Sequence, residues 1–214
     1  MQKPDSCKLC PLYESGKGFI PDEVVPNPEY VILMEAPSKS EVQQGKLLAG
    51  SDGFVLKSWG MRTVPTLQVA YEKRKVSVCS LLKCQPPELH GKSYPTGETR
   101  ELAEAHCRQY LNVGNPKVIL LLGEATQRYY FRDELTSEDS IDRASGRDVK
   151  GVSGRIGRVY ERDGVRYVFA SAPSSVLKQP ALVGHLQEAL KIAAGVEQVV
   201  EPIMLQWREA MSQL

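Results

Sequence analysis

Glu35, Ala36, Pro37 and Ser38 stand directly behind a short apolar run, Tyr30 to Met34, and are followed by Gly45, Gly50 and Gly53. A carboxylate and a proline closing such a run, then spaced glycines, form the pattern of a buried parallel strand feeding a loop that must approach a ligand closely. The stretch from Glu35 to Gly53 is therefore the candidate working site. A second set of chemistry-bearing residues is the cysteines. Cys7 and Cys10 make a Cys-x2-Cys turn, a spacing that lets two thiolates face one metal centre from a single tight loop. Cys84, in Lys83-Cys84-Gln85-Pro86-Pro87, and Cys107, within a helical pattern, could complete a set of four. Four thiolates hold either zinc or a [4Fe–4S] cluster, and spacing does not decide between them. Cys79 lies inside a strand-like run and reads as a small buried hydrophobe.

The chain around these residues has 214 amino acids, 42% of them hydrophobic, and a formal charge of +1. That length supports one full core, with a small terminal appendage. No apolar run approaches the roughly 20 residues of a membrane span, and the start, with Lys3, Pro4, Asp5 and Cys7, has no signal-type apolar stretch. A soluble, intracellular monomer is expected, in which cysteines serve metal or redox chemistry rather than disulfides. Neither an internal repeat nor a low-complexity tract is present. The overall charge does not announce a nucleic-acid binder, yet Arg143, Arg147, Lys150, Arg155 and Arg158 form a local basic stretch with Asp148 as its only acid. A solvated loop is one reading of that stretch and phosphate contact the other.

The elements that must position these groups alternate. Strands are expected at Tyr30 to Met34, Val76 to Leu82 and Val118 to Leu122, and in a hairpin of Arg155 to Tyr160 with Val165 to Ala170 turning at Asp163-Gly164. Short helices are expected around Phe54 to Trp59 and Leu67 to Tyr71, their aromatic rings in the core. A longer one follows Thr96, with Leu102, Ala105, His106, Tyr110 and Leu111 as its apolar face. Further helices begin at Gly123, Pro180 and Pro202. The pattern predicts a three-layer α/β/α fold with a central, largely parallel four-stranded sheet, in a domain of residues 1–195, and a C-terminal amphipathic helix over 196–214. In such a sheet ligands gather beyond the carboxyl ends of the strands, so the loops after Glu35, Lys83 and Ser171 should meet.

Taken together, Glu35-Ala36-Pro37 with Glu41, Gly45, Gly50 and Gly53 resembles the family 4 (iron–sulfur) uracil-DNA glycosylase motif Gly-Glu-Ala-Pro-Gly, acidic run, Gly-x-Pro-Phe-x-Gly-x-x-Gly. Lys83-Cys84-Gln85-Pro86-Pro87 is similar to that family's Lys-Cys-Arg-Pro-Pro, and Ala172-Pro173-Ser174-Ser175-Val176-Leu177 to its His-Pro-Ser-x-x-Leu. The order of the cysteines agrees as well, and the likeness runs from Cys7 to about Ile192. It implies a uracil-DNA glycosylase-like fold, a [4Fe–4S] cluster on Cys7, Cys10, Cys84 and Cys107, and DNA as partner with a flipped pyrimidine in the pocket. It also implies catalytic carboxylates at Glu35 and Glu41, and substrate contacts at Ala36, Pro37, Ser38, Leu48, Ser80, Ala172 and Ser174. A phosphate contact follows at Lys178, beside a loop resembling the family's duplex-inserting wedge, and on charge alone Arg143, Arg147 and Arg155 of the basic stretch are expected to meet phosphate too.

The departures fall on the chemistry. The family's histidine, which stabilises the uracil anion, is Ala172; its base-reading asparagine is Ser80; its stacking phenylalanine is Leu48; and the glycines flanking the first motif are Met34 and Ser38. Alanine can neither donate a hydrogen bond nor carry charge, and losing one donor aimed at developing charge costs about 10²–10³ in rate. Ordinary uracil excision is therefore not expected. Three classes stand open: an enzyme acting on a non-uracil or modified pyrimidine, such as a thymine modified at C5, with a small-molecule second substrate; a glycosylase of altered specificity; and a catalytically silent DNA-binding module. Lys39 and His185 read as a solvated side chain and a helix residue.

Overall fold

The computed structural model describes residues 2–87, 97–144 and 155–196. Five strands, β1 (Tyr30–Met34), β2 (Val76–Ser80), β3 (Val118–Leu122), β4 (Val159–Arg162) and β5 (Val165–Ala170), form one sheet in the order β2-β1-β3-β5-β4. The first four in that order are parallel, and β4 pairs antiparallel to β5 at the edge. The expected sheet had four strands. The fifth arises because Asp163 and Gly164 both take left-handed dihedrals, φ 53° and 76°, as a tight two-residue hairpin requires. Both hairpin arms thereby enter the sheet.

Parallel strands buried on both faces must be apolar throughout, and alternate side chains then feed two cores. Ile32, Val78, Leu120 and Val168 go to one side. It is covered by α3 (Pro65–Glu72), α7 (Val183–Ala193) and a π-helical turn over Val55–Gly60. Val31, Leu33, Cys79, Ile119, Leu121 and Phe169 go to the other, against α5 (Glu124–Ala144). Cys79 is fully buried there, as expected of a small hydrophobe. Phe131 leaves helical dihedrals inside α5 and sets its ring 4.6 Å from that of Tyr160 and 5.7 Å from that of Phe169. The remaining helices are α1 (Lys39–Gln44), α2 (Ser51–Phe54), α4 (Gly97–Cys107) and α6 (Pro173–Lys178), three of them close to the carboxyl ends of the strands. No helix among the described residues is long and apolar enough to cross a membrane.

Several expected placements are corrected. The buried face of α4 is Ala103, Glu104 and Cys107, while Leu102 is 53% exposed, because the helix is turned so that Cys107 meets the other cysteines. Phe54 was expected in the core and is exposed. The loop from Ser171 to Leu177 is mostly the helix α6. Arg155, expected on phosphate, is fully buried and ion-paired with Asp139, which also accepts from Arg128 at 3.2 Å. Arg158 beside it donates to Glu138 at 2.6 Å, and Tyr160 to the same carboxylate at 2.7 Å. These pairs clamp the hairpin to α5, and stripping a buried guanidinium of its carboxylate costs ~3–5 kcal/mol. Arg155 and Arg158 are thus structural cations, whereas Arg143 is exposed near the end of α5. Arg147, Lys150, the Thr96 cap and, past Val196, the helix expected over 196–214 lie outside the described residues.

Candidate functional site

Three strand ends converge. Glu35 follows β1, Gly123 follows β3 and Ala172 follows β5 by two residues, and beside them opens a cleft of about 240 Å³. Its walls include Glu35 to Lys39, Asp52, Gln85 with Pro86, and Ala172 to Ser174. Glu35 is placed by a contact that only glycine permits. Gly123 sits at φ 92°, and a Cβ on it would come 2.5 Å from Glu35 Oε1 and 3.2 Å from the Ala172 methyl. Into the space so left, the Ala125 amide at the start of α5 donates to Glu35 Oε1 at 3.1 Å. Burial raises the Glu35 carboxyl above the usual glutamate range; the Ala125 amide and Arg100 lower it less, and Glu124 and Glu104 push it up further. A carboxyl held at a cleft with a raised affinity for a proton is a candidate acid or base.

Glu41, expected at the cleft as a second catalytic carboxylate, is placed away from it. It is fully buried, does not line the cleft, and uses both oxygens inside its own loop. Its Oε2 accepts from the amide and the hydroxyl of Ser38, both at 2.7 Å, and its Oε1 from the Leu48 amide at 2.6 Å. Ser38 in turn accepts from the Glu41 amide, completing a capping box at the start of α1. Glu41 therefore pins the loop whose other residues form the cleft wall, and burial again raises its carboxyl.

Leu48 and Ser80 are corrected as well. Leu48, at φ 52° and buried, is locked in the loop interior: Lys57 donates to its carbonyl at 3.1 Å, and a Cβ at Gly53 would come 1.8 Å from that oxygen. It presents no ring or surface to the cleft. Ser80 is fully buried at the end of β2, where its amide donates to Asp22 at 3.1 Å and its carbonyl accepts from Lys83 at 2.5 Å. Lys83 also pairs with Asp22 at 2.5 Å, both side chains all but inaccessible. The wall near this strand is made instead by Gln85 and Pro86. Ala36, Pro37, Ser38, Ala172 and Ser174 line the cleft. Lys178 is exposed in the last turn of α6, close enough to Asp52 to lower its carboxyl, though burial raises that carboxyl more. Asp52 was missed, although its place between Gly50 and Gly53 was a usable signal; Gln85 and Lys39 complete the unforeseen polar lining.

The cysteines meet on the far side of Lys83. Cys7, Cys10, Cys84 and Cys107 are buried, unbridged and line one small cavity together with Lys3, Lys83, Tyr13 and Phe19. Lys3 donates to the carbonyls of Leu12 and Gly16, closing the N-terminal loop over the thiols. A Cβ at Gly16 would lie 2.6 Å from Cys84 Sγ, so this loop too is shaped by a glycine. Burial pushes the free thiol of Cys84 up to about 11 and that of Cys107 up to about 12. Among the described residues no three donors converge on a single metal ion. Four thiols around one cavity are a donor set that either zinc or an iron–sulfur cluster can take.

The family model of the uracil DNA glycosylase superfamily matches residues 21–193, most of the chain. The chain belongs to that superfamily. It is 27% identical over 207 residues to a type-4 uracil-DNA glycosylase of Pyrobaculum aerophilum, covering 92% of this chain and 93% of that one. A solution NMR structure of a Methanosarcina acetivorans protein ascribed to the uracil DNA glycosylases covers 85% of this chain and 99% of its own, at 13% identity and a TM-score of 0.46.

The Glu35 environment makes a signed prediction. A carboxyl raised on folding contributes stability that is complete below the ordinary glutamate range and lost as pH rises through its folded value. Glu35→Gln keeps an acceptor for the Ala125 amide without the charge. The variant should match wild type at acid pH and become the more stable of the two as pH approaches neutral, read from urea midpoints across that range. A difference that does not change with pH would contradict the assignment.

Proposed function

We propose that the protein is a DNA base enzyme that takes a flipped, non-uracil or modified pyrimidine into the cleft and acts on its exocyclic C5 substituent. The observation that carries the reading is Ala172. Breaking the glycosidic bond of a pyrimidine leaves negative charge on the base, and the position that should offer it a donor is a methyl group in contact with Gly123. The carboxyls of Glu35 and Asp52 line the same cleft, and when ionised they oppose an anion rather than stabilise it. Such walls suit a displacement in which no charge builds on the ring. A nucleophile from a small second substrate forms a bond to the C5 methylene as the bond to the leaving group breaks. Glu35 takes the nucleophile's proton, and the leaving group departs with its electron pair. The superfamily membership and the retained Glu35 favour, as the second reading, a glycosylase of altered specificity. Lys178 and Arg143 are the exposed cations we assign to phosphate.

Cys7, Cys10, Cys84 and Cys107 would hold a [4Fe–4S] cluster. Bound there, the cluster would keep the thiols anionic and tie the N-terminal segment to the sheet. Protein purified without oxygen should be brown, with broad absorbance toward the blue end of the visible, and replacing any of the four cysteines by serine should lower its iron content. Colourless protein holding stoichiometric zinc would sink the assignment.

The reaction is tested by incubating the protein with duplex and single-stranded oligonucleotides carrying uracil, hydroxymethyluracil or phosphorylated hydroxymethyluracil, with and without a cell extract as source of the second substrate. Nucleosides are then analysed by mass. A pyrimidine of changed mass still attached to its sugar is the expected result. Released free base would support the glycosylase reading, and unaltered nucleosides in every arm a binding module.

A further inference from the structure

Phe54 is the one exposed aromatic side chain among the described residues, with 56% of its surface open. It is not loosely held. Its ring meets Trp59 edge-on at 6.0 Å, and Trp59 itself packs against the main core. Phe54 lies two residues after Asp52, which lines the cleft, and α2 and the π-helical turn behind it pack against α6. On α6 stand Leu177, 39% exposed, and the exposed Lys178. Next to the cleft, the packed elements α2 and α6 therefore expose a supported aromatic ring, an aliphatic side chain and a cation. That is the composition of a surface that stacks a base while holding its phosphate.

We propose that Phe54 is a stacking platform for a nucleobase next to the flipped nucleotide. The inference rests on the reading that the cleft takes a flipped pyrimidine, because only then does a neighbouring base lose a stacking partner beside the cleft. Flipping leaves one face of that neighbour without its own stack. Phe54 offers a ring already ordered by Trp59, so little freedom is lost when the base arrives. The flat ring has no hydrogen-bonding edge, so the contact tolerates any base. Leu177 and Phe54 then share the work of keeping the opened step apart.

The test is a thermodynamic cycle on the full-length, iron-loaded protein. Dissociation constants are measured for wild type, Phe54→Ala and Phe54→Trp against duplexes in which each base flanking the target pyrimidine is replaced in turn by an abasic analogue. Phe54→Ala should weaken binding to intact duplex about tenfold, within the range of aromatic stacking on a base, and Phe54→Trp should restore it. On the duplex lacking the contacted base, wild type should bind as weakly as Phe54→Ala and the substitution should have no further effect. An equal loss on every duplex, or no loss on the intact one, overturns the proposal while leaving the cleft reading in place. Wild-type protein that binds no DNA, or binds it without dependence on salt, overturns both.

Discussion

The hydrogen bond from the Ala125 amide to Glu35, 3.1 Å long and made across the bare Cα of Gly123, is the contact on which the site depends. It joins the end of β1 to the start of α5, hence to the end of β3, and it brings the Ala172 methyl at the end of β5 against the same glycine. Any side chain at position 123 would displace the carboxyl, and the left-handed dihedral there would resist one in any case. The fixed carboxyl is also a desolvated one. Burial at that spot raises its affinity for a proton, and the Ala125 hydrogen bond that fixes its position lowers it by less.

Two glutamates six residues apart show how environment separates roles that residue type leaves equal. Glu41 is enclosed by two amides and a hydroxyl and holds a loop; Glu35 has an amide on one oxygen and a cleft beside it. The same contrast holds among the cations. Arg155, against Asp139 and Glu138, and Lys83, against Asp22, are buried and join elements together, while Lys178 stays in solvent near Asp52 of the cleft. Lys83 also stands between the cysteine cavity and the end of β2, so the thiol-bearing N-terminal loop and the sheet share one buried ion pair.

The sheet was legible because a doubly buried parallel strand must be apolar along its whole length, as Val118 to Leu122 is. The convergence of the strand-end loops follows from that topology alone, and the meeting of four cysteines from their likeness to an iron–sulfur pattern. What was not legible depends on which way a side chain turns. Position in a motif placed Ser80 and Leu48 in the pocket, but Asp22 draws the Ser80 amide inward and Glu41 draws that of Leu48. A basic stretch cannot show from its charge that Asp139 and Glu138 will pair with two of its arginines and that one of them will be buried. Nor does an apolar residue such as Phe54 reveal that α2 points it outward.

The central claim is that this superfamily cleft no longer supports a leaving pyrimidine anion, and that Ala172 is a principal cause. Uracil release from duplex DNA by wild type and by Ala172→His, measured side by side, tests it most directly. The account predicts little or no release by wild type and a measurable gain from the histidine, which would stand beside Glu35 and Gly123. Robust release by the unmodified protein, unchanged by the substitution, would contradict it.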